Sequence, residues 1–164
     1  MNTRMSKSQG FSLIELLIVV AIILIIAAIA IPNLIRSRMS ANEASAVASL
    51  RAINTGEVEY LTTYDTFATQ AQLGPGAQTC NNPTAANACL IDFLLASATA
   101  PATAKSGYYF LVTPTPSTYT SEAEPADPTS TGTRGFCSDQ DMAIYFVAVG
   151  GAMGTCTTAN GTPL

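Results

Sequence analysis

Four cysteines, one isolated glutamate and a few late carboxylates are the groups in this sequence whose chemistry is specific enough to read. Cys80, Cys89, Cys137 and Cys156 form no CxxC pair, and the chain contains no histidine. Lack of histidine removes most zinc sites and every His-based catalytic triad. An even number of cysteines, all downstream of a long apolar run, reads as two disulfides in an oxidising compartment. Three pairings exist on paper. Cys80–Cys89 and Cys137–Cys156 are preferred, because each closes a short loop rich in Asn, Gly, Thr and Pro. Asp139 and Asp141, with Glu122 or Glu124, come nearest to an oxygen-rich calcium site. The stretch SDQD supplies only two carboxylates and lacks the EF-hand layout. Turn formation is therefore preferred there, and no metal or other cofactor is assigned.

The isolated glutamate is Glu15. It stands at the front of QGFSLIELLIVVAIILIIAAIAIPNL (residues 9–34), where no polar side chain occurs from Leu16 to Ile31. A charge in hydrocarbon costs several kcal/mol even on lenient scales, so an acid there marks a function. Phe11 to Ile31 spans 21 residues, about 30 Å as a helix, enough to cross a bilayer core. Arg4 and Lys7 precede the run, which predicts a cytoplasmic N-terminus and a body on the far side. A cleaved secretory signal is one reading, but the run exceeds the 7–15 residues usual for such a core. A permanent signal anchor is another; it explains length and flanks but neither Glu15 nor the Gly10–Phe11 junction.

A third reading rests on the local pattern. A short charged leader ends in Gly10; Phe11, Ser12, Leu13, Ile14 and Glu15 follow, then the apolar run, then Pro32. The string GFSLIELLIVVAII at 10–23 closely resembles the prepilin signature of type IV pilins and type II secretion pseudopilins. The resemblance is close over residues 1–40 and loose beyond. It implies that a membrane prepilin peptidase cuts between Gly10 and Phe11 and methylates the new amine, while the transmembrane helix survives. It also implies that Glu15 pairs with the Phe11 amine of an adjacent subunit. The bottom-up reason is register: apolar helices slide past one another at little cost, whereas a buried acid penalises every register that leaves it unpaired. Pro32 cannot donate to the carbonyl of Ala28 and should kink or loosen a helix that nonetheless continues.

That continuation is predicted by residues 33–63, which contain no Pro and one Gly, Gly56. Val47, Leu50, Ile53, Tyr60 and Leu61 approximate one stripe, interrupted by Gly56 and Glu57. A single helix from about 11 to 63 is expected. Tyr60, Tyr64 and Phe67 read as core. Beyond lies a loop-rich connection over 65–106, with a short helix within 91–100 opened by Asp92. Strands are predicted at 107–113, 118–124, 134–138 and 142–149. The tail 150–164 offers little reason for order beyond Cys156.

The expected fold is α+β: a long N-terminal helix, half transmembrane and half packed against an antiparallel sheet of three or four strands. The expected organisation is a leader over 1–10, a membrane or filament-core helix over 11–32, and a head over 33–164. The formal charge is −4, and no Lys/Arg cluster with interleaved aromatics occurs, so a nucleic-acid partner is not indicated. The resemblance implies a non-enzymatic filament subunit whose partners are other copies of itself, the peptidase, and an ATPase-driven inner-membrane assembly platform. The precursor would sit in the inner membrane with its head periplasmic, and the product in an extracellular pilus. A major pseudopilin of a type II secretion system is the alternative within the family; a membrane-anchored periplasmic binding protein or enzyme is the alternative outside it.

Overall fold

The structure is a computed structural model that describes residues 11–80, 82–148, 154 and 156–164. In chain order the elements are α1 (Leu13–Tyr64), α2 (Gln70–Leu73), α3 (Phe93–Ser97), a 3-10 turn (Pro101–Thr103), β1 (Tyr108–Pro114), β2 (Tyr119–Pro125), β3 (Gly135–Asp139), β4 (Ile144–Val147) and β5 (Thr162–Pro163). They form two compact units, one ending at Arg36 and one beginning at Ser37, and α1 contributes to both.

In the first unit no residue from Phe11 to Arg36 is buried. The helix begins where the Ser12 carbonyl accepts the Leu16 N–H at 3.2 Å. It satisfies its own backbone polar groups, as a segment in hydrocarbon must. Pro32 lies inside the helix and does not end it; it forfeits one hydrogen bond, and neighbouring turns carry the geometry across.

In the second unit, α1 buries Glu43, Ala46, Ser49, Leu50, Ile53, Asn54, Gly56, Glu57 and Tyr60, a face at helical spacing. The five strands follow one another as an antiparallel meander, β1-β2-β3-β4-β5. Tyr108, Phe110 and Val112 of β1, Tyr119 and Ala123 of β2, and Phe136 of β3 join Leu50, Ile53 and Tyr60 in one core. This is the predicted α+β arrangement, with one more strand than expected. The extra strand is β5, in the tail for which only Cys156 gave a reason for order. Its two residues pair with Tyr145 and Phe146, and Leu164 N–H reaches the Ile144 carbonyl at 3.0 Å.

The tail also explains why β3 does not alternate. Gly135, Phe136, Cys137 and Ser138 are all buried, although successive strand residues face opposite sides. Ser138 faces α1, where its hydroxyl accepts from Asn54 Nδ2 at 2.8 Å. Cys137 faces the other way and is bonded to Cys156, with Cα atoms 5.6 Å apart.

The segment between α1 and the sheet is more ordered than its loop-like composition predicts. Thr69 and Gln72 form a capping box around α2: the Thr69 hydroxyl accepts the Gln72 N–H at 3.3 Å, and Gln72 Oε1 accepts the Thr69 N–H at 2.9 Å. The T-x-x-Q signature was present in the sequence. Asp92 caps α3 by accepting the Leu95 N–H at 2.9 Å. A second disulfide joins Cys80 to Cys89 across 6.0 Å between Cα atoms. This segment packs on α1 at Gly56, where a Cβ would meet Leu90, Ile91 and Leu73 at ordinary contact distances of 3.4 to 3.6 Å.

Two outcomes follow for stability. Removing Cys137–Cys156 by paired Ser substitution should cost about 3 kcal/mol in chemical denaturation, the loop-closure expectation for its span, and should make the tail protease-sensitive before the rest of the head. Glu43 of α1 forms an ion pair with Arg134 at 2.6 Å, and replacing it by Ala should cost about 2 kcal/mol, less than for a fully buried pair because Arg134 is partly exposed.

Candidate assembly site

Glu15 occupies the first turn of α1, where the N-terminal end of the helix dipole favours a negative charge. Phe11 precedes the helix and is 84% exposed. The two are four positions apart in sequence, about one helical turn. Gly10 lies outside the described residues. Leu13, Leu16, Leu17 and Val20 form an open apolar strip beside Glu15, at the i, i+3, i+4, i+7 spacing of one helix face. The segment therefore offers uncovered apolar surface carrying a single acid at one end. It is long and apolar enough to cross a membrane.

The head holds acids of a different kind. Glu43 is buried and pairs with Arg134: Oε2 accepts from Nε at 2.9 Å and from an Nη at 2.6 Å, while Oε1 accepts the Thr133 N–H at 3.1 Å. Burial pushes this carboxyl up, but the guanidinium and the backbone donors outweigh it and hold it below the usual carboxylate range. Its contribution is present at neutral pH and is lost as pH falls through that lowered value. Arg134 also lies over Phe136 and Phe146, 5.6 and 5.3 Å from their ring centroids. It thereby ties α1 to β3 and β4. Sequence reading did not single out this pair. The available signal was that Glu43 falls in register with Ala46, Leu50 and Ile53 on the face that α1 buries.

Asp139 and Asp141 belong to the β3–β4 turn. The Asp139 carboxylate accepts the Asp141 N–H at 3.0 Å, and the Asp139 carbonyl accepts the Met142 N–H at 2.9 Å. Glu122, on β2, accepts the Gly154 N–H instead. Among the described residues no three acids or cysteines are grouped so as to hold a metal. Tyr60 and Tyr64 stack at 4.6 Å, and Phe67 packs on Tyr119 at 5.0 Å, within or against the core.

Residues 5–31 match a family model described as the prokaryotic N-terminal methylation motif. Over 61 residues, 37% of this chain, the sequence is 43% identical to the type IV major pilin protein PilA of Myxococcus xanthus. Over 46 residues, 28% of this chain, it is 54% identical to the type IV wide pilus major component PilA4 of Thermus thermophilus. The matched stretches span 28% and 35% of those two relatives. The chain thus carries the prokaryotic N-terminal methylation motif and is similar, over the matched stretches, to two type IV pilus components.

Proposed function

We propose that this chain is the structural subunit of a type IV pilus. It is cut after Gly10, methylated on the new Phe11 amine, and polymerised through the first half of α1 into a surface filament. The observation that carries this reading is the apolar surface of α1 from Phe11 to Arg36, which no part of the described chain covers. Such a surface needs a lipid environment or other protein around it. A bilayer serves first and neighbouring helices serve afterwards. Both relatives are named as pilus components, which favours a pilus over a secretion pseudopilus.

In that filament Glu15 sets the register. Its carboxylate pairs with the Phe11 amine of an adjacent copy, since an unpaired charge among packed apolar helices would cost several kcal/mol. Prepilin peptidase creates the amine, and the assembly platform with its ATPase supplies the work of extraction. The N-terminus begins in the cytoplasm with the head in the periplasm, following Arg4 and Lys7. The role is structural and non-catalytic. Pro32, inside α1, gives the helix a place to adjust as it passes from lipid to filament core.

Mass spectrometry of the protein from cells with an active prepilin peptidase should find a chain beginning at monomethylated Phe11. An intact Met1 terminus in those cells would overturn the processing step. Glu15→Ala should insert into membranes normally yet reduce filament yield by an order of magnitude or more, counted by electron microscopy of sheared fibres. Filaments in normal number from that variant would refute the register role.

A further inference from the structure

Glu57 is a buried acid on α1 treated in the opposite way from Glu43. Its side chain is inaccessible to solvent. Oε2 accepts one hydrogen bond, from the Ala68 N–H at 2.9 Å, and Oε1 has no hydrogen-bond partner. The nearest polar side chain on the same face of α1, Asn54, is already committed: its Nδ2 donates to Ser138 Oγ and its Oδ1 accepts from Tyr119.

Among the described residues no ion pair engages Glu57. From α1 Glu57 meets Tyr60, with Tyr64 beyond it; from β2 it meets Tyr119, which also senses Asp139 of β3. The 65–69 segment presents the backbone N–H of Ala68. The ion pairs among the described residues engage Asp92 and Glu43. An ionised carboxylate buried beside phenols, with a single backbone donor, is poorly solvated. A protonated carboxyl in the same place carries only the smaller cost of a buried neutral polar group.

The element facing Glu57 is the segment 65–98, and its hold on α1 is local. On α1 it consists of the Ala68–Glu57 bond, the Tyr60 hydroxyl donating to Ala85 O at 2.6 Å, and Leu73, Leu90 and Ile91 around Gly56; toward the sheet, Phe67 packs on Tyr119, Ala98 O accepts the Phe110 N–H, and Leu73, Ile91 and Leu95 join the core. We propose that Glu57 is a proton-operated latch on this segment: with the proton on, residues 65–98 lie closed against α1, and with it off the segment opens to hydrate the carboxylate. The sheet and the Glu43–Arg134 tie hold the rest of the head together in both states. The Cys80–Cys89 bond keeps the loop it closes intact while the segment moves.

The sign is set by linkage. Burial pushes the Glu57 carboxyl from 4.5 up to about 7, against a smaller opposing effect of the Ala68 N–H. The closed form thus keeps a proton that the open form releases, and closure weakens as pH climbs through that interval. The chain has no histidine, so no ordinary side chain competes as a titrating group between about pH 5 and 8.

The test is hydrogen exchange by mass spectrometry on the full chain in detergent micelles at about pH 5 and about pH 8.5, corrected for intrinsic rates. In the wild type, peptides covering 65–73 and 85–98 should lose protection by between tenfold and roughly a few hundred-fold at the higher pH, while β2 and β3 peptides hold steady; the Phe110 N–H of β1, which donates to Ala98 O, should follow the segment. Glu57→Gln, neutral and nearly isosteric, should show no such change. The same pH response in Glu57→Gln, or a response spread evenly over the head, would overturn the latch. Carbon-13 NMR of the Glu57 carboxyl in the wild type serves if the variant does not fold. Titration near 7 supports the proposal and titration in the ordinary carboxylate range refutes it.

Discussion

The structure depends on one constraint: α1 closes its backbone hydrogen bonds on itself for 52 residues while the demands on its side chains change along its length. Before Arg36 it needs an apolar environment from outside, and the helix is the only local structure that enters such an environment without an edge. After Ser37 it must offer a face to a sheet. Ala-rich spacing meets both demands, since Ala adds little bulk and the best helix propensity of any residue. Pro32 is tolerated because the lost bond is one among many.

The second half of α1 acts as a polar as well as an apolar backbone for the head. Glu43 anchors Arg134, Asn54 joins Tyr119 and Ser138, and Glu57 takes the Ala68 N–H. These bonds lie along one buried face, so each also fixes which residue of the sheet or loop sits at which turn. Apolar contacts from Leu50, Ile53 and Tyr60 supply most of the burial; the polar groups supply the register.

Much of this was legible beforehand. The long helix, the two hairpins of β1 to β4 and the Asp92 cap follow from periodicity, turn residues and capping chemistry. The stripe on α1 seemed interrupted at Gly56 and Glu57. Those two positions prove to be where the 65–98 segment lies against the helix, and a periodicity reading has no means to separate a break from a second contact surface. The Glu43–Arg134 tie spans 91 positions in sequence, beyond any local pattern. β5 was missed because two residues are too short for an alternation signal, and its order comes from Cys156 and from the strand beside it. For the assembly segment the situation reverses. Composition and spacing around Phe11 and Glu15 carry nearly all the information, because no described residue from 11 to 36 is buried and the fold adds no contacts there.

The short strand β5 has a consequence out of proportion to its length. Without Thr162 and Pro163, β4 would offer an open row of peptide groups to any extended chain nearby. At the opposite side of the sheet, Phe110 N–H of β1 is taken by Ala98 O. The proline in β5 has no N–H to extend the ladder, and the sulfur bridge from Cys156 keeps the flap from lifting. Residues 162–163 thus cover the edge of the sheet at which amyloid-like strand stacking would begin.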